Sequence, residues 1–259
     1  MKIGIVGLGL IGGSIFKSLQ VLGYDVVGIS TSQGGKYENI YSDWKYLSEC
    51  DVVFVCSPMN RVIDDLKDLE NYVSNDTIVA DVSSLKGFVS KEKFSYNFIP
   101  SHPMAGTEFS GFEHSFDGLF KGAKWVLTPN DGIVPDALKK IITDMGAKIV
   151  VANPFEHDEA VALISHMPLV LSQALFMSAE DNNLAKELAS SGFRDMTRLA
   201  LSSEEMACDM VEKNSENIQK AILKLYANIG NLIKENYPEK IHEIKLEREK
   251  MYKDGVNVL

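Results

Sequence analysis

Cysteine is scarce in this chain. The 259 residues hold three, Cys50, Cys56 and Cys208, an odd number with no C-x-x-C spacing. That argues against a disulfide framework and for free thiols in a reducing compartment, so the cytoplasm is expected. Positive charge is also short, with 26 Lys and Arg against 36 Asp and Glu and a net charge of −10. Such a balance disfavours nucleic acid and anionic membrane surfaces as partners. No metal-ligand spacing, nucleophile elbow, internal repeat or low-complexity segment occurs. No apolar stretch is expected to reach the length of a membrane span. The N-terminal apolar run is interrupted by Gly4, Gly7, Gly9, Gly12 and Gly13 and is not read as an export signal.

What is present is ordinary for a soluble globular protein, 45% hydrophobic and 24% charged, and long enough for two modest domains. The stretch from Lys2 to Ser14 organises it. An apolar strand-like run precedes Gly7, Gly9 and Gly12 at G-x-G-x-x-G spacing, and a helix-like segment follows over 11–22. In a strand–turn–helix unit the first glycine permits the turn and the second lets backbone approach a pyrophosphate. The third lets helix pack on strand, with the helix N-terminus facing the phosphates. Alone the spacing is weak; between strand and helix it points to a dinucleotide site.

Residues 25–29 read as the second strand. Where an acid would bind the ribose 2′-hydroxyl of NAD, this chain has Ser30, Thr31 and Ser32. No carboxylate repels a 2′-phosphate there, so NADP is preferred over NAD, although the usual arginine is also missing. Leu10 and Ile11 at the helix start, and Cys56, Ser57, Pro58 and Ser83 at later strand ends, complete the expected cofactor contacts. Further strands are expected at 51–56, 77–81, 96–100, 125–128 and 147–151, with helices over 61–72 and 135–145. Strand and helix in alternation predict an α/β domain with a doubly wound, mostly parallel sheet of Rossmann type. After 152 no strand is convincing. Helical periodicity covers 155–179, interrupted at Pro168, then 203–237 and 238–252. The boundary is therefore set as 1–152 for the dinucleotide-binding domain and 153–259 for an all-helical one. The apolar faces of that second half predict a homodimer built through it.

Ligands of doubly wound sheets sit at the carboxyl ends of strands. His102, expected just beyond the strand over 96–100, is followed by a glycine-containing loop. Histidine as a residue type can accept a proton from a substrate hydroxyl near neutral pH. In the helical half, Arg194 and Arg198 lie in a glycine-broken turn expected over 192–198; two arginines can hold carboxylates in bidentate fashion. His157 and His166 lie nine residues apart, on opposed faces of a regular helix, so a shared target requires a bend near Pro168.

Taken together, SHPMAGTEFSG, DVSSLKG, ISHMP and SSGFRDMTR resemble the TyrA family of prephenate and arogenate dehydrogenases over nearly the whole chain, the compact cyanobacterial arogenate type most of all. No segment resembles a chorismate mutase or an ACT-type regulatory domain. The resemblance implies oxidation of the ring hydroxyl carbon of a small cyclohexadienyl acid, with loss of carbon dioxide. It implies that His102 takes the hydroxyl proton and that Ser84 orients that hydroxyl or His102. It further implies that Arg198, with Arg194 close by, binds a carboxylate, and that Thr107, Glu108, His157 and His166 line the pocket. Prephenate-preferring relatives often carry a second histidine three residues beyond the one matching His166. Here Leu169 stands there, which favours arogenate. The alternatives are a 3-hydroxyacid-type dehydrogenase, which would need a lysine on the helical side, and a non-catalytic NADP-binding sensor.

Overall fold

Unbroken apolar runs become the middle of a parallel sheet. In a computed structural model that describes residues 1–107, 109–234 and 237–253, β1 (Lys2–Val6) leads into α1 (Leu10–Val21), then β2 (Asp25–Ile29) and the short β3 (Ile40–Tyr41). Next come β4 (Val52–Val55), α2 (Val62–Leu69), β5 (Ile78–Asp81) and β6 (Asn97–Phe98). These six strands run parallel in the order β3-β2-β1-β4-β5-β6, the doubly wound order with its crossover beside β1.

The sheet is buried on both sides, and strand alternation sorts the core into two clusters. Ile3, Ile5, Phe54 and Ala80 pack with Ile15 and Leu19 of α1. Val6, Val53, Val55 and Val79 pack with Val62, Leu66 and Leu69 of α2. This two-sided covering is why β4 reads as a continuous apolar run, with no polar alternation.

The strand expected over 96–100 is shorter, only Asn97–Phe98. The chain then leaves this sheet. A separate three-stranded sheet is built from β7 (Ser101–Met104), β8 (Lys124–Leu127) and, after α3 (Asp136–Asp144), β9 (Lys148–Val151). There β7 runs antiparallel to β8, while β8 and β9 are parallel. His102 therefore sits inside a strand, opposite Val126, and not in a loop beyond a strand end. Proline at position 103 is tolerated because β7 is an edge strand.

The chain divides into two compact units, Met1–His157 and Asp158–Leu259, a few residues beyond the boundary set from the sequence. Beyond α4 (Pro154–Val161) the second unit is helical: a π turn (Ala162–His166), α5 (Met167–Glu180), α6 (Asn183–Glu187) and α7 (Ser191–Thr197). A 3₁₀ turn (Arg198–Leu201), α8 (Glu204–Lys213), α9 (Ser215–Lys234) and α10 (Tyr237–Lys253) follow. The π turn has a local cause. Pro168 has no N–H to offer the carbonyl four residues back, so the ladder widens before α5 starts. Two expectations need correction. Gly192 lies within α7 instead of making a turn, and the helix expected over 203–237 is interrupted at Asn214.

A third correction concerns apolar length. The run 160–179 contains no Asp, Glu, Lys or Arg. The helical segment Pro154–Glu180, with a mean hydropathy of 1.7 over its most apolar window, is long and apolar enough to cross a membrane by length and composition. Only 28% of that window is buried within this chain.

Candidate active site

The glycine loop is shaped by sterics. Gly7 has φ +85, a left-handed conformation costly for a side chain, and a Cβ there would lie 2.9 Å from the Cys56 carbonyl oxygen. A Cβ on Gly12 would come within 1.9 Å of the Gly7 carbonyl oxygen, so helix and turn can meet only through glycine. A Cβ on Gly9 meets nothing within 4 Å. Gly9 caps α1 without a side-chain bond, and the first turn holds no acidic residue. The helix thus presents its N–H groups and positive dipole end beside open space, an arrangement that fits a pyrophosphate. Leu10 and Ile11 are half-buried in that first turn.

Neighbouring strand ends supply the rest of the cradle. Cys56, Ser57 and Pro58 directly follow β4. Burial pushes the Cys56 thiol up, so it stays protonated. Ser57 Oγ donates to Asp65, whose other carboxylate oxygen lies 3.2 Å from Arg61. After β2, Ser30 is buried, its Oγ accepting from the Gln33 amide at 3.2 Å, while Thr31 and Ser32 are exposed. The Ser30 hydroxyl thus helps build the turn and lies 3.3 Å from the Ser32 hydroxyl, beside the exposed Thr31.

A buried polar network anchors the strand that carries His102. Asp81, at the end of β5, accepts from Ser83, from the Lys86 ammonium and, at 3.0 Å, from the Ser101 amide. Lys86 is fully buried and also donates to the Ser101 carbonyl at 2.6 Å. The Ser101 hydroxyl donates to the Asp81 carbonyl at 2.5 Å and accepts from the Trp125 indole at 3.0 Å. A buried charge pair with this many partners is costly to break from either side. It ties β5 to β7 one residue before His102. The Ser83 hydroxyl is committed to this network, whereas Ser84 beside it is half-buried.

His102 Nδ1 lies 2.9 Å from Nε2 of His157, which is 4% exposed on α4. Thr107 is exposed, its hydroxyl oxygen accepting from the Phe109 amide at 3.2 Å. Glu108 lies outside the described residues. In the second unit His166 is buried, with Nδ1 3.1 Å from the side-chain nitrogen of Asn214. Arg194 and Arg198 share a cleft of about 520 Å³ on that unit, lined also by Phe176 and Thr197. Arg194 lies 3.4 Å from Asp195 and is largely exposed.

Sequence reasoning gave Asp81 and Lys86 no role, although both stand in the DVSSLKG stretch. An acid ending a strand with a lysine five residues on was the available signal. Asn214 carried no signal, because its partners are distant in sequence.

A glycine-cradled helix N-terminus, a strand-borne histidine and a helical unit bearing paired arginines define a pyridine-nucleotide-dependent oxidoreductase. Comparison with known proteins makes this particular. The family model for "Prephenate dehydrogenase, nucleotide-binding domain" matches residues 17–151, and that for "Prephenate dehydrogenase, dimerization domain" matches 153–245. The chain belongs to the prephenate dehydrogenase family, whose members are NAD(P)-dependent oxidoreductases of tyrosine biosynthesis. It is 31% identical to arogenate dehydrogenase of Synechocystis, with a TM-score of 0.79 and 98% of each chain covered. Prephenate dehydrogenase of Aquifex aeolicus, in complex with hydroxyphenyl propionate and NAD+, superposes with a TM-score of 0.87 at 28% identity, covering 97% of this chain and 98% of that one. Prephenate dehydrogenase of Lactococcus lactis is 28% identical over 92% of this chain and 75% of its own length.

Proposed function

We propose that this protein catalyses oxidative decarboxylation of a cyclohexadienyl acid, arogenate in preference to prephenate, with NADP in preference to NAD. The observation that carries the catalytic reading is the contact between His102 Nδ1 and His157 Nε2. For His102 to take a proton from the ring hydroxyl at Nε2, its Nδ1 must carry the other proton. The partner nitrogen of His157 accepts that Nδ1–H and holds the ring in the required tautomer. The Asp81–Lys86 network fixes the adjacent backbone, so the imidazole starts close to its working position. Ser84 lies three residues beyond β5 and orients the same hydroxyl or His102.

When bound, the nicotinamide dinucleotide supplies the hydride acceptor. The first turn of α1 with Gly7, Gly9, Leu10, Ile11 and Gly12 holds its pyrophosphate. Cys56, Ser57, Pro58 and Ser83 border the cofactor, Ser83 through its backbone. Thr31 and Ser32, with Ser30 shaping their turn, face the adenosine ribose without a carboxylate, which supports NADP.

Arg198 binds a substrate carboxylate, with Arg194 beside it. His166, Thr107 and Glu108 border the same substrate. Leu169 is 4% exposed and offers no hydrogen bond where a second histidine would, which supports arogenate. The helical unit forms a homodimer, a second copy covering the apolar helix Pro154–Glu180; three unpaired cysteines support a reducing compartment, the cytoplasm.

A two-by-two steady-state assay of arogenate and prephenate with NADP and NAD tests this reading. The expected order of kcat/KM puts arogenate with NADP first. Turnover of neither acid with either nucleotide overturns it.

A further inference from the structure

We propose that Asn214 is the positioning residue that keeps the side-chain proton of His166 on Nε2, making His166 a hydrogen-bond donor to a substrate carboxylate. The donor role rests on the substrate site described above; the tautomer rests on geometry alone.

Asn214 sits between α8 and α9, with φ −126 and ψ 20, and is 5% exposed. Its backbone already serves the helix junction. The amide donates to Met210 at 3.1 Å, and the carbonyl accepts from Ile218 at 3.0 Å. The side chain has different work. Which end of an asparagine amide is nitrogen must be read from its partners. The Asp158 backbone carbonyl can only accept, and it lies 2.9 Å from Nδ2. The other end, Oδ1, lies 2.9 Å from the side-chain nitrogen of Asn217. The Asp158 carbonyl fixes the orientation, and the Asn217 side-chain amide is set to match it.

The nitrogen that serves Asp158 also lies 3.1 Å from His166 Nδ1. An amide nitrogen donates and does not accept, so Nδ1 is the accepting atom of that bond. A neutral imidazole that accepts at Nδ1 carries its proton on Nε2. His166 is 1% exposed and closes the π turn before α5, so burial and the widened turn hold the ring as Asn214 finds it. A donor of fixed direction in a low-dielectric setting is suited to a carboxylate, the group that both arogenate and prephenate carry.

Nitrogen-15 NMR of the full-length histidine-labelled protein reads the tautomer directly, with His166 assigned by its loss in His166→Gln. Wild type is expected to show a protonated Nε2 and a bare Nδ1. The opposite tautomer overturns the proposal without any variant. Asn214→Asp keeps the shape and replaces the donor by an acceptor. It should bring a proton to Nδ1 and raise the arogenate KM about tenfold, the size of one hydrogen bond to a charged group, with kcat within about twofold. Asn214→Leu serves as the second variant and should raise KM similarly. A folded variant that keeps both the wild-type tautomer and the wild-type KM overturns the proposal. If wild type turns over neither acid, the donor role falls together with the substrate reading. The spectrum distinguishes that failure, because control of the tautomer by Asn214 is read without substrate.

Discussion

His102 Nδ1 and His157 Nε2 lie 2.9 Å apart, their rings nearly perpendicular at 79°. One histidine is on an edge strand and the other on a helix, 55 residues apart in sequence. The contact divides the labour between them. His102→Ala should lower kcat by roughly 100- to 10,000-fold, the span for a lost general base, with little change in KM. His157→Ala should lower kcat by a smaller factor, and His157→Gln, which retains an acceptor near the Nε2 position, should recover part of the loss. Rates should fall at low pH, because a protonated His102 has no lone pair for the substrate hydroxyl. Steady-state kinetics with a deuterated substrate checks this. Wild-type kcat in His102→Ala, with hydride transfer still rate-limiting, places the base elsewhere.

In the proposed site Arg198 binds a substrate carboxylate, a group charged both before and during reaction. Its loss is therefore expected in KM first. Arg198→Lys should recover only part of the affinity, because an ammonium does not reproduce the planar two-pronged donor. Equal KM values for wild type and Arg198→Ala would remove this residue from the substrate site.

The cofactor preference is tested at Ser30. Ser30→Asp puts a carboxylate beside the adenosine ribose, where repulsion of a 2′-phosphate costs on the order of several kcal/mol in a partly desolvated site. The ratio of kcat/KM for NADP over NAD should fall by at least tenfold. Since the wild-type Ser30 hydroxyl bonds the Gln33 amide, Ser30→Ala separates the turn's contribution from the charge effect. Equal use of both nucleotides by wild type contradicts the hydroxyl argument.

The helical unit exposes Phe176, Met177, Leu223, Tyr226 and Ile233, each at least half accessible. Large apolar side chains exposed together on one unit are the kind of surface a second copy covers. Sedimentation should give a dimer at micromolar concentration, and Leu223→Glu with Tyr226→Glu should shift it towards monomer. A wild-type monomer there defeats the prediction.

Alkaline pH should weaken the fold through the buried Cys50 thiol and the half-buried Cys56 thiol. Burial pushes Cys50 up to about 11 and Cys56 in the same direction. An unfolded cysteine ionises near pH 8.5. As pH rises, the unfolded chain releases these protons first, so stability is intact below about pH 8.5 and is lost towards pH 11. The urea midpoint should drop between pH 8 and pH 10.5, less so in Cys50→Ala. Cys50 should react with a thiol reagent only on unfolding; fast labelling of Cys50 in the native protein contradicts this.

Much of the cofactor unit was legible in the sequence, because its signals are local. Gly7 and Gly12 are demanded by backbone sterics within one turn, and the unalternating run at 52–55 reports a strand covered on both faces. The family resemblance was legible for a related reason, since the SHPMAGTEFSG and SSGFRDMTR stretches are contiguous. Other features depended on distant partners. Nothing near Tyr96 says that the chain will leave the parallel sheet and start a second one at Ser101. That switch is set by Asp81 and Lys86, which hold Ser101 from another strand's end.

The sequence by itself determined the dinucleotide cradle, the family and the residue types available for proton transfer and carboxylate binding. These depend on spacing within one turn or one motif, where chain connectivity already brings the groups together. Only the tertiary structure decided that His102 lies in an edge strand with His157 at its Nδ1. It also decided that Asp81 takes the Ser101 amide of β7 and that Asn214 faces His166 across a helix junction. Each of those is a hydrogen bond between residues whose proximity exists only after apolar burial has closed the chain, and its direction is fixed by which buried atoms can donate and which can only accept.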